Sequence, residues 1–144
     1  MARLMNLLLD TQAVLWWRTR GPRLGSEARE AIGAAELVFV SAVSAWEVAI
    51  KASLGKLRLP EPFASGVEDS GFLQLPVTFD HAAAVAALPL RHRDPFNRLL
   101  VAQARREKLA LVTSDRRMGE YDVPIVWASG GSGLHEDAPQ FRRG

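Results

Sequence analysis

The stretch LALVTSD, residues 109–115, decides the reading of the fold. It is a continuous apolar run, too short for a helix, that ends in a carboxylate. Such a run reads as a strand buried on both faces of a parallel sheet. The run LMNLLLD, residues 4–10, ends the same way at Asp10. Open α/β sheets bind ligands outside the carboxyl ends of their strands. Two such strands would bring Asp10 and Asp115 to one edge as candidate ligands for a divalent metal.

Helices are predicted over residues 11–20, 26–35, 44–54, 63–69, 79–88 and 95–108. Ser26 is the expected cap of the second, and Gly55 the stop of the third. Further strands are predicted over 37–40, 73–77 and 123–127, with Pro76 and Pro124 assigning the last two to sheet edges. Strands alternate with helices, so the expected fold is α/β, a mostly parallel sheet of four to five strands flanked by helices. Right-handed crossovers then collect all strand C-termini on one edge. Residues 1–128 are expected to form one domain, and residues 129–144 (SGGSGLHEDAPQFRRG) a flexible tail.

Composition limits the function. The chain has 144 residues, enough for one real core, with 48% apolar and 24% charged residues, the balance of a soluble globular protein. No apolar run is long enough to span a bilayer, so no membrane role is expected. The absence of Cys removes disulfides and thiolate metal sites and suits a cytoplasmic protein. A formal charge of +2 is too small for a generic polyanion binder. Nucleic-acid affinity would have to come from local patches.

Magnesium prefers oxygen ligands and needs carboxylates converging from different elements. Asp10 and Asp115 fit by position, although Asp at a strand end also caps turns. Glu47 and Asp94 lie in segments that could join them. Ser44 and Glu47 stand three apart at a predicted helix start, the capping-box pattern. Asp94-Pro95 is a helix cap followed by proline at the first position. Asn97 then falls in the first turn, on the side of Asp94.

The order LLLDTQAVLWW, SAWEVAIKASLGKL, LPLRHRDPFNRLLVAQA, LALVTSD and VPIVWA resembles the PIN-domain ribonucleases of the VapC toxin group, from about Asn6 to Ala128. The resemblance implies a Rossmann-like PIN fold, Mg²⁺- or Mn²⁺-dependent endoribonuclease activity, a cognate VapB-type antitoxin and a homodimer. By the same resemblance the metal-binding and catalytic positions fall on Asp10, Glu47, Asn97 and Asp115, with Asp94 as a further metal residue. Thr113 and Thr11 fall in supporting positions. The third family acid is here Asn97, 18 residues before Asp115. A second departure is Gln12, where the subgroup often has His. Loss of one carboxylate implies weaker metal binding and an attenuated or inactive enzyme. The alternative is a catalytically dead PIN domain that binds antitoxin or RNA.

RNA contacts are expected from Arg93 and Arg116, which adjoin the acids in sequence. Arg91, His92 and Arg117 share those neighbourhoods, whereas Arg142 and Arg143 read as solubilising. Trp46 reads as core. Adjacent Trp16 and Trp17 cannot both face one core from a helix, so at least one should be exposed or covered by a partner. A phosphoacceptor receiver domain would need paired acids at the first strand end and a late Lys. Asp10 follows Leu9, and no Lys occurs after Lys108. A nucleotide-binding Rossmann domain would need a glycine-rich loop there.

Overall fold

The computed structural model describes residues 5–90 and 93–129. Arg91, His92 and all but the first residue of the expected tail, including Arg142 and Arg143, lie outside the described residues. In chain order the elements are β1 (Leu7–Leu9), α1 (Thr11–Thr19), α2 (Ser26–Ala34), β2 (Val38–Ser41), α3 (Ala42–Ser53) and α4 (Phe63–Asp69). They continue through β3 (Leu73–Leu75), α5 (Phe79–Ala84), α6 (Pro95–Glu107), β4 (Ala110–Thr113) and β5 (Ile125–Trp127). Short 3-10 turns occupy Val85–Ala87 and Arg116–Glu120.

The sheet has five strands in the order β3-β2-β1-β4-β5, and every pairing is parallel. The two strands that end towards Asp10 and Asp115 are neighbours at its centre, with Leu9 opposite Val112. β3 and β5 are the edges, where Pro76 and Pro124 cost no central ladder bond. Alternation along β1 builds two cores. Leu7 and Leu9 pack with Val14, Ala28, Ile32 and Val40 on one face, whereas Leu8 packs with Leu100, Val101, Leu111 and Met118 on the other. All three leucines are fully buried, worth about 1.5–3 kcal/mol each.

Local expectations needed correction in four places. α2 starts at Ser26 itself, with Gly25 as its cap and no side-chain capping bond. α3 starts at Ala42, not Ser44, because Ser41 at the end of β2 accepts the Val43 N–H at 2.9 Å and starts the helix directly. Ser44 is therefore inside the helix, and the capping box with Glu47 does not form. Trp16 and Trp17 are both half-buried against the same core, with Trp17 5.9 Å from Phe72 between ring centroids. Trp46 is instead the exposed indole, at 59%.

Gly55, at φ 74°, does end α3. α1 and α6 end instead at non-glycine residues, Arg20 and Lys108, whose backbones turn left-handed to return their N–H groups to the last carbonyls.

Candidate active site

Asp10 leaves β1 with its backbone N–H bonded to Val112 O of β4, which fixes it at the sheet's C-terminal edge. Its carboxylate accepts the Ala13 N–H at 2.9 Å and caps α1, and the residue is 93% buried because it is 7% exposed. The capping role that Asp offers at a strand end is therefore observed for Asp10. The next residue, Thr11, donates its hydroxyl to Glu47 Oε1 at 2.7 Å. Glu47 is also 7% exposed, and its other oxygen takes the Lys51 ammonium at 2.9 Å one turn further along α3. With the capping box gone, Glu47 is held by these two long-range and local partners, and it faces α1.

A second group assembles around β4. Asp115 donates its backbone N–H to Thr113 Oγ1 at 3.1 Å, and Thr113 is fully buried. Asp115 Oδ1 accepts the backbone N–H and the guanidinium Nε of Arg117. Asp94 caps α6 by accepting the Phe96 N–H, ahead of Pro95 at the first helical position. The Asn97 amide nitrogen donates to Asp94 Oδ2 and to Asp115 Oδ2, each at 3.3 Å. Asp10 follows β1 and Asp115 lies just past β4, and these two strands are parallel neighbours, which lie about 4.8 Å apart. A family model of the PIN domain matches residues 7–124. The chain belongs to the PIN-domain family.

Among the relatives of this PIN domain is ribonuclease VapC22 of Mycobacterium tuberculosis (strain ATCC 25618 / H37Rv). It is 32% identical over 128 residues, 85% of this chain and 98% of its own. The resemblance to the VapC group read from the sequence is therefore upheld. Solved structures share the fold as well. VapBC2 from Rickettsia felis, bound to a DNA fragment from its promoter, superposes with a TM-score of 0.63 at 12% identity, covering 85% of this chain and 98% of that one. A toxin–antitoxin complex from Klebsiella pneumoniae gives 0.61 at 18% identity, covering 86% and 98%.

The donors of this PIN domain suit a hard divalent cation in kind, since they are carboxylate and amide oxygens. As placed, they are not drawn together around a common point: among the described residues no three Asp, Glu or His side chains converge closely enough to hold an ion. Each of three acids is instead engaged by donors from the chain. Lys51 holds Glu47, Arg117 holds Asp115, and Asn97 bridges Asp94 and Asp115 through its nitrogen.

Reading the sequence missed Lys51, although its position four residues after Glu47 on one helix was the available signal. It also missed Arg98. That guanidinium bonds the carbonyls of Val85 and Pro89 and the Tyr121 hydroxyl, and so anchors the segment that leads to Asp94. Arg93 is exposed near the same helix start. Arg116 is exposed too, stacked on Trp127.

Proposed function

We propose that this chain is an endoribonuclease toxin of a VapBC-type toxin–antitoxin system, dependent on Mg²⁺ or Mn²⁺ and attenuated by Asn97. The observation that carries the reading is the placement of Asp10 and Glu47, both buried, and Asp115 at one sheet edge of a PIN domain similar to a VapC ribonuclease. A bound divalent cation supplies two things in phosphodiester hydrolysis, acidification of water and polarisation of the phosphate. Asp10, Glu47 and Asp115 would hold it, with Asp94 and the oxygen of Asn97 as further ligands.

The chain's own residues prepare that site. Ala13 N–H fixes the Asp10 carboxylate, Thr11 fixes Glu47, and Thr113 fixes the backbone of Asp115. Arg93 and Arg116 offer cationic contacts to RNA phosphates beside the acids. A cognate VapB-type antitoxin, a reading supported by the toxin–antitoxin complexes that share the fold, and a homodimer complete the proposal. A cytoplasmic setting follows from the substrate and the lack of Cys.

A second reading is favoured by the Asn97 amide, which donates where a metal ligand must accept. On that reading the chain is a catalytically dead PIN domain that binds antitoxin or RNA. RNA cleavage with Mg²⁺ or Mn²⁺, compared between this chain and Asn97→Asp, separates the two. We expect slow cleavage by the chain and faster cleavage by the variant. Absence of cleavage by both, with metal bound, sinks the nuclease reading; equal rates sink the role given to Asn97.

A further inference from the structure

Trp127 ends β5 in register with Thr113 of β4, at the sheet edge that carries the acids. The Arg116 guanidinium lies over its ring, 4.6 Å from the centroid. The turn Arg116–Glu120 is seated on the same indole. A Cβ added at Gly119 would come within 3.3 Å of two ring carbons, so the glycine allows ring and turn to close. The two arginines that follow Asp115 are thereby put to different uses. Arg117 folds back onto the Asp115 carboxylate. Arg116 is exposed, and among the described residues its contact is the indole face rather than a carboxylate.

A guanidinium stacked on an aromatic ring is held in one plane while its N–H edge stays available. That edge matches two phosphate oxygens at once. Simple gluing of the turn to β5 would need no cation, since an apolar side chain at residue 116 would cover the ring as well. We propose that Arg116, aimed by Trp127, grips a backbone phosphate of single-stranded RNA next to the scissile one, which makes Trp127 a positioning residue. The proposal rests on the ribonuclease reading above.

Binding of a short, fluorescein-labelled single-stranded RNA to the full chain, read by anisotropy over a salt series with EDTA and separately with Ca²⁺, tests it. Arg116→Ala should weaken binding roughly tenfold at low salt and flatten the slope of log affinity against log salt by about 0.7, one phosphate on a single strand. Trp127→Leu keeps the charge but frees the side chain, so affinity should fall while the slope stays near that of the parent. Gly119→Ala, which only presses on the ring, provides the same comparison if Trp127→Leu does not fold. Arg116→Ala with unchanged affinity and slope overturns the phosphate contact. A loss in Arg116→Ala with no effect of Trp127→Leu or Gly119→Ala overturns the role of Trp127. A parent chain that binds no RNA under either condition overturns the RNA reading itself, and this proposal with it.

Discussion

The Asn97 amide nitrogen donates to the Asp115 carboxylate at 3.3 Å. The same nitrogen reaches Asp94 at 3.3 Å, so one neutral group bridges two carboxylates from different elements. Turning the amide over would set its oxygen against both acids, and the hydrogen-bond network therefore fixes its direction. Asn97 does in part, without metal, what a cation between these acids would do.

Asn97→Asp removes the bridge and adds a third carboxylate at its place. Without metal the variant should lose about 1–3 kcal/mol of stability, the scale of a lost hydrogen bond to a charged group plus like-charge repulsion. Added Mn²⁺ should raise its melting temperature more than that of the parent, because a better site couples binding to folding. Thermal melts in EDTA and in Mn²⁺ check both. Identical curves for the two chains under both conditions would show that the bridge carries no weight.

Lys51 and Glu47 form a pair whose side chains are 25% and 10% exposed. Removing Lys51 leaves a nearly buried carboxylate with Thr11 as its remaining partner in this pair of bonds. Lys51→Met should cost about 1–3 kcal/mol in urea unfolding. The double variant with Glu47→Gln should recover most of that, since the uncompensated charge is gone. Additive losses would mean that the ion pair is incidental.

Ser41 and Ser44 provide a sharp contrast on one helix. Ser41 is the observed cap, whereas the buried Ser44 hydroxyl makes no hydrogen bond among the described residues. Ser41→Ala should destabilise by about 1 kcal/mol. Ser44→Ala removes a buried unsatisfied group and should be neutral or slightly stabilising. The reverse order in denaturant titrations would restore the capping box.

The fold was legible because its central strands carry unbroken apolar runs, and because Pro76 and Pro124 mark the edge strands. Asp10 and Asp115 were legible for the same reason: each follows directly from a strand that had to be buried. Glu47 was harder. Its local pattern with Ser44 suggested a cap, and only the start of α3 at Ala42 shows that the helix is already capped by Ser41. Which donors meet each acid could not be read from the sequence. Thr11 and Glu47 are 36 residues apart, and Asn97 and Asp115 meet only because α6 and β4 pack side by side. Trp16 and Trp17 were misread because a helix lying at a margin of the core can half-bury two neighbouring rings.

The tryptophans supply a final test of that correction. Trp46 is 59% exposed, with its ring edge against Phe96 at 5.2 Å between centroids. Truncation there removes one aromatic contact and little burial, so Trp46→Ala should cost about 1 kcal/mol or less. Trp17 packs on Phe72 and the β1 face of the core. Trp17→Ala opens a gap in that layer and should cost about 3 kcal/mol, towards the lower end for a large aromatic because the ring is only half-buried. Urea unfolding of the two variants side by side decides the matter. A larger loss at Trp46 than at Trp17 would return Trp46 to the core and leave Trp17 at its margin, in line with the sequence reading that at least one of the α1 pair is exposed or covered by a partner.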